Sequence, residues 1–272
     1  MILTLVTIFS MLLTFAIVYF TGINWWLSIP VFLGSLILVI IMFIMSWYLH
    51  ALTVKKDSEI LRPKKYFNYT TREICKLICT VSRIKIIKEG IEKIENKKIL
   101  LVSNHQSNFD PLVIIPALDN IGLTFVMKES LLKLPVIGRY VISAGFFSLN
   151  RENNREGLKT ILKCVKRVEE GYPVGVFPEG TRSKDAEIAE LKDGAFKIAT
   201  RAKADIAVMI VDNAYKVRKR FPLRRTKVLV KVCEVLKYDE IKEMNTNEIS
   251  ENISKIMKEE LSKSREKYSW LQ

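Results

Sequence analysis

From Met1 through Val54 the chain has no Asp, Glu, Lys or Arg; the first charged residue is Lys55. Few folds tolerate such a stretch unless it is hidden from water. Two runs within it are almost wholly apolar. One goes from Ile2 to Phe20, broken by Thr4, Thr7, Ser10 and Thr14, and the other from about Leu27 to Tyr48. Each is close to the ~20 residues that carry a helix across a bilayer core. Between them, Thr21-Gly22-Ile23-Asn24-Trp25-Trp26 reads as a short turn with interfacial tryptophans, and Trp47-Tyr48 mark the other boundary. There is no basic n-region and the second run follows almost at once, which argues against a cleaved signal peptide. Lys55, Lys56, Arg62, Lys64 and Lys65 come next, and the positive-inside rule assigns that end to the cytoplasmic face of the cell membrane. The reading is a two-helix membrane hairpin over residues 1–54. Full spanning is favoured over a hairpin dipping into one leaflet.

Residues 55–82 read as a juxtamembrane amphipathic helix lying along the membrane, and 83–272 are long enough for one domain. The net charge of +14 therefore belongs to a domain tethered at a membrane. Acidic lipid headgroups are the economical partner for such a charge; nucleic acid is the rival and is not expected. The densest basic cluster is Lys216, Arg218, Lys219, Arg220, Arg224 and Arg225, interrupted by Phe221-Pro222-Leu223. It suits either a loop dipping into an interface or a solvated loop between strands. Cys75, Cys79, Cys164 and Cys233 form no CxxC or Cys/His pattern and read as core residues rather than metal ligands.

The domain alternates strand-like and helix-like segments. Apolar or β-branched runs at 83–88, 98–103, 123–127, 146–149, 174–177, 206–211 and 227–234 read as strands. Segments at 110–118, 129–143, 153–170, 194–203 and from Asn247 onward read as helices, that at 129–143 broken at Pro135 and Gly138. Such alternation predicts an α/β fold with a mostly parallel sheet flanked by helices, preceded by the hairpin.

His105 is one of only two histidines, the other being His50. It follows the buried strand and has Asp110 five positions on. Histidine is the side chain that changes charge nearest neutrality, and a carboxylate on its second nitrogen would fix the tautomer. On a helix, five residues advance about 500°, well off the same face. The pair can meet only if Asn104, Ser107 and Asn108 turn the chain between them. Ser107 reads as a turn or cap residue rather than a nucleophile. A second cluster, Glu179-Gly180-Thr181-Arg182, breaks a strand and offers a carboxylate, a hydroxyl and a guanidinium suited to phosphate. A surface pair between Glu179 and Arg182 is the plain alternative. Arg151 and Lys128 also lie just beyond strands, where ligands of open α/β sheets bind; each alone could equally be a solvated charge.

Together and in this order, these blocks resemble the glycerolipid acyltransferase family, particularly its bacterial 1-acylglycerol-3-phosphate acyltransferases. Asn104-His105 through Asp110 resembles the NHx4D signature, Gly145 through Arg151 the second block and Phe177 through Ser183 the third. Met127-Lys128-Glu129 and Leu191 through Ala195 also resemble family segments. One departure is Ala207, where the fourth block usually carries proline. The resemblance implies a membrane-bound enzyme transferring a fatty acyl group from acyl-CoA or acyl-carrier protein to the sn-2 hydroxyl of lysophosphatidic acid. In it His105 would be the general base and Asp110 its orienting carboxylate. Lys128, Arg151, Glu179, Gly180, Thr181 and Arg182 would hold the substrate, and Leu131 to Phe147 would line an acyl groove. A thioester is already activated, so no metal or cofactor is expected. Alternatives are another lysophospholipid or an acylated amino acid as the acceptor, or a non-catalytic basic module at the membrane surface.

Overall fold

The structure, a computed structural model, describes residues 2–53, 65–119, 121–134, 137–149, 154–183 and 186–271. Two long helices come first, α1 (Ile2–Thr21) and α2 (Ser28–Leu52), joined through a 3-10 turn at Trp25–Leu27. Both are long and apolar enough to cross a membrane. Most of their large apolar side chains are exposed, including Phe15, Phe20, Ile29, Ile37 and Ile41. Their facing side carries a small polar seam. Thr14 Oγ1 and Ser35 Oγ lie 2.8 Å apart, and the Ser35 hydroxyl also approaches the Ser10 carbonyl at 3.2 Å. In an apolar medium, small hydrogen-bonding residues at a helix–helix contact hold the pair in register.

The remaining elements are α3 (Lys65–Val81), β1 (Ile84–Glu89), β2 (Ile99–Ser103), α4 (Asp110–Ala117), β3 (Thr124–Lys128), α5 (Ile137–Ser143) and β4 (Phe147–Leu149). After them come α6 (Asn154–Glu169), β5 (Val174–Val176), α7 (Lys197–Ala202), β6 (Asp205–Asp212), α8 (Val217–Arg220), β7 (Thr226–Leu236), α9 (Tyr238–Ile241) and α10 (Thr246–Lys267). The strand order is β1-β7-β6-β2-β5-β3-β4. β6, β2, β5, β3 and β4 run parallel to one another, β7 is antiparallel to β6, and β1 is parallel to β7. The carboxyl ends of the five parallel strands therefore share one edge of the sheet.

Side-chain alternation splits the core between the two faces. Leu100 and Val102 of β2, with Ile206, Val208 and Ile210 of β6, pack on α6, α7 and α10. Ile99, Leu101, Ala207, Met209 and Val211 face α3 and α4. Asn245 caps α10 by accepting the N–H groups of Asn247 and Glu248, and Ile249, Ile253, Met257 and Leu261 are its buried stripe. Ala207 pairs with Leu101 on one side and Val235 on the other. A central position like this favours a residue with an amide hydrogen over the family's proline. All four cysteines are free and buried.

The segment expected to lie along the membrane also packs on the domain. Residues 54–64 fall outside the described part, but α3 turns Phe67, Cys75 and Cys79 inward, and the Cys79 thiol donates to the Leu112 carbonyl of α4. Part of its apolar surface is thus covered by the domain itself, while Tyr66, Tyr69 and Val81 stay exposed. Trp47 and His50 of α2 join this contact, Trp47 against Tyr140 of α5 and His50 against Tyr66 and Phe67 of α3. One turn on from Trp47, the Ser143 hydroxyl donates to the Ala51 carbonyl. α2 and α5 consequently run in the same direction. Because α5 leads back from the end of β3 to the start of β4, the earlier turns of α2 project past the carboxyl edge of the sheet.

Candidate active site

β2 ends at Ser103, and the next residue extends the sheet with its side chain. The Asn104 amide donates to the Val211 carbonyl at 3.0 Å and accepts the Val211 N–H at 2.8 Å. The chain then turns: Asp110 N–H donates to the Ser107 carbonyl, and the Ser107 hydroxyl accepts the Phe109 N–H. That turn brings His105 and Asp110 together, with Nδ1 to Oδ2 at 2.8 Å. The same carboxylate oxygen accepts the N–H groups of Gln106 at 2.7 Å and Ser107 at 2.8 Å. Asp110 opens α4 and is fully buried, whereas His105 is partly open to solvent. Burial pushes the Asp110 carboxyl above its ordinary range, opposed by His105 and by the two backbone N–H groups.

Two aromatic planes support the imidazole. The His105 ring stacks on Phe177 at 4.4 Å, and Phe177 stacks on Phe125 at 5.0 Å. Gly175 of β5 makes room for this stack, since a methyl there would lie 2.4 Å from Phe125 Cε1. With Nδ1 tied to Asp110 and one face covered, Nε2 is the nitrogen left to meet a reactant.

The third block braces the first. The Glu179 carboxylate is buried and accepts the His105 N–H at 2.9 Å; the His105 carbonyl accepts the Ser183 N–H at 2.8 Å. Burial raises the Glu179 carboxyl above its ordinary range, with the His105 amide opposing. Glu179 makes no surface pair with Arg182; its side chain is buried, with one oxygen on the backbone of the histidine. Thr181 and Arg182 stand exposed on the turn that Gly180 makes at φ +72°. Lys128, at the end of β3, is exposed on the same edge. Arg151 lies outside the described residues.

Two contributors escape the sequence reading as site residues. Lys192 lies over Gly180, its Nζ 3.2 Å from where a Cβ would stand, so its ammonium joins Arg182 and Lys128 on the edge. Asp212 at the end of β6 accepts the Gln106 amide at 3.0 Å and the Arg265 Nε–H at 2.9 Å, linking the histidine loop to α10. A lysine in Leu191-Lys192-Asp193-Gly194 carries no local mark of its position. Asp212 had one signal, an acidic residue ending an apolar strand.

A cavity of about 460 Å³ lies elsewhere, lined by Lys97, Leu118, Leu123, Thr124, Phe146 and Tyr172 among others. These residues precede or open β2, β3, β4 and β5. The cavity thus sits at the amino edge, about 16 Å from His105 across five residues of strand. It is distinct from the edge that carries His105 and Asp110, although Phe146 belongs to the segment expected to line an acyl groove.

Comparison with known proteins gives a consistent picture. Residues 85–212 match the family model described as Acyltransferase. A 1-acyl-sn-glycerol-3-phosphate acyltransferase of Borreliella burgdorferi is 31% identical over 145 residues, 52% of this chain and 57% of that protein. One of Helicobacter pylori is 26% identical over 196 residues, 69% of this chain and 81% of that protein. The match thus spans little more than half of the Borreliella relative's length. The crystal structure of the 1-acyl-sn-glycerophosphate (LPA) acyltransferase PlsC from Thermotoga maritima shares the fold. Its TM-score is 0.62 at 20% identity, covering 82% of this chain and 95% of that one.

Proposed function

We propose that this chain, whose residues 85–212 match the acyltransferase family model, acylates lysophosphatidic acid at a membrane surface, giving phosphatidic acid. The observation that carries this reading is the 2.8 Å bond between His105 Nδ1 and a buried Asp110, on an edge that also bears exposed cations.

Asp110 holds the proton on Nδ1 and leaves the Nε2 lone pair for the acceptor. Nε2 removes the proton of the sn-2 hydroxyl as its oxygen attacks the thioester carbonyl. The C–O bond forms, the tetrahedral intermediate expels the thiolate, and the proton passes from Nε2 to sulfur. No enzyme nucleophile is required, which agrees with a Ser107 hydroxyl occupied in the turn. Arg182, Lys192 and Lys128 are the described cations suited to the acceptor phosphate, with Arg151 a further member from the sequence. Arg182 offers the planar bidentate grip. Acyl-CoA and acyl-carrier protein are the donors to test. The hairpin would hold the chain at the cell membrane, with the domain on the cytoplasmic face, and would present the acceptor without lifting its chain into water.

The experiment is to incubate purified protein with lysophosphatidic acid and a panel of acyl thioesters, and to identify the lipid product. His105→Ala should lower turnover about 10²–10⁴-fold, the usual worth of a general base. Near-normal turnover in that variant would sink the mechanism. Arg182→Ala should raise KM for the phosphate-bearing acceptor more than for the donor.

A further inference from the structure

The connection between β6 and β7 is basic, apolar at its tip, and placed where the mechanism does not use it. It carries Arg218, Lys219, Arg220, Arg224 and Arg225, and no Asp or Glu occurs between Asp212 and Glu234. Among the described residues no carboxylate pairs with these five cations. Amid them Leu223 is 83% exposed and Phe221 49% exposed, whereas Val217 beneath them is fully buried. Phe221 and Leu223 thus form a small exposed apolar tip flanked on both sides by cations. Its anchor is firm. Asn213 leaves β6 at φ +73°, and its amide donates to the Lys227 carbonyl of β7 at 2.8 Å.

Position decides the partner. β6 ends and β7 begins at the carboxyl edge, and Asp212, immediately before the loop, bonds Gln106 beside His105. The early turns of α2 project past this same edge. The apolar tip and the apolar helices therefore reach out on one side of the molecule.

We infer that the loop 217–225 is a second membrane contact, with Phe221 and Leu223 entering the headgroup–acyl boundary of an anionic bilayer and the five cations lying against lipid phosphates. Amphipathic side chains with flanking cations suit that depth, and each cation near an anionic surface favours contact about fivefold. The hairpin fixes the protein to the membrane through α2, which packs on α3 and α5. The loop adds a second point of contact and seats the His105 cleft on the lipid surface. The inference rests on the membrane attachment proposed above but needs no acyl transfer.

The test uses the full chain in vesicles containing phosphatidylglycerol, with an environment-sensitive fluorophore on Leu223→Cys; the four natural cysteines are buried and spared. The control is Asp239→Cys, 87% exposed at the amino edge. Lipids brominated near the headgroup should quench the label at 223 and not at 239. In phosphatidylcholine vesicles, or with Arg224→Glu and Arg225→Glu added, the quenching at 223 should fall at least fivefold. An unquenched label at 223, equal quenching at both sites, or shielding of 223 by acyl-carrier protein instead of lipid overturns the inference. Quenching at 223 in a protein that transfers no acyl group supports this inference while refuting the proposed activity.

Discussion

At the scale of single residues, the imidazole is set by groups that never touch a reactant. Gly175 is the clearest case. Gly175→Ala must displace Phe125, which backs Phe177, which backs His105. Overpacking of this kind costs about 1–3 kcal/mol. A thermal melt should show that loss, and turnover should fall with KM little changed. Adding Phe125→Leu should restore part of both; no restoration would break the proposed chain of contacts. Asp110 makes a prediction of opposite sign. Its folded pKa is raised, so relative to the unfolded chain it contributes stability fully present below the ordinary carboxylate value and lost as pH rises through the folded one. Above the folded value the buried, ionised carboxylate is thus a burden on the fold. Asp110→Asn should abolish acyl transfer, because a neutral amide oxygen in place of the carboxylate stabilises the imidazolium far less, while the melting temperature at pH 7 does not fall. A large drop in melting temperature would show that its hydrogen bonds outweigh its burial.

At the scale of elements, the hairpin and the sheet ends are held by different means. α1 and α2 face one another through Ser10, Thr14 and Ser35, with no charge available to specify the pairing. Thr14→Val with Ser35→Ala should weaken that pairing by about 0.6–1.7 kcal/mol in a membrane. A fluorescence-transfer or crosslinking measurement between the helices in vesicles would read it, and unchanged association would assign the pairing to shape alone. The register of β2 against β6 instead relies on Asn104, whose amide takes the place of one more peptide unit. Local sequence carried much of this. Strand and helix positions followed from periodicity. It did not carry the packing of α3, because an amphipathic stripe states that one face is apolar without stating whether lipid or protein will cover it.

At the scale of the whole molecule, the blocks His105–Asp110 and Glu179–Arg182 are 69 or more positions apart in the chain and meet because β2 and β5 are adjacent and parallel. Their convergence was legible from the rule that each follows a strand. The role of Glu179 was not, because a carboxylate beside an arginine looks the same whether it faces a ligand or a buried amide. The reversal of β7 was also hidden, since alternation of side chains does not reveal strand direction. That reversal lets α10 tie the far side of the sheet. Lys231 of β7 bonds Glu260 of α10 at 2.8 Å and approaches Glu89 of β1 at 3.6 Å. Lys231, joined by Lys263, holds the Glu260 carboxyl below its ordinary range. Its contribution to stability is therefore present above the ordinary carboxylate pKa and lost as pH falls through the lowered one. Lys231→Met should flatten that part of the acid-unfolding curve, followed by circular dichroism. An unaltered curve would mean that the tie is screened by solvent.

The double grip on the histidine backbone, its N–H in Glu179 and its C=O on Ser183, brackets the Gly180–Arg182 turn. Tugging that turn tugs the base, so an anion settling there and the posture of the proton acceptor become one mechanical variable. An acceptor stripped of its phosphate should then be processed slowly even at saturation, with kcat as well as KM impaired. If only KM suffers, the two ends of the bracket move independently.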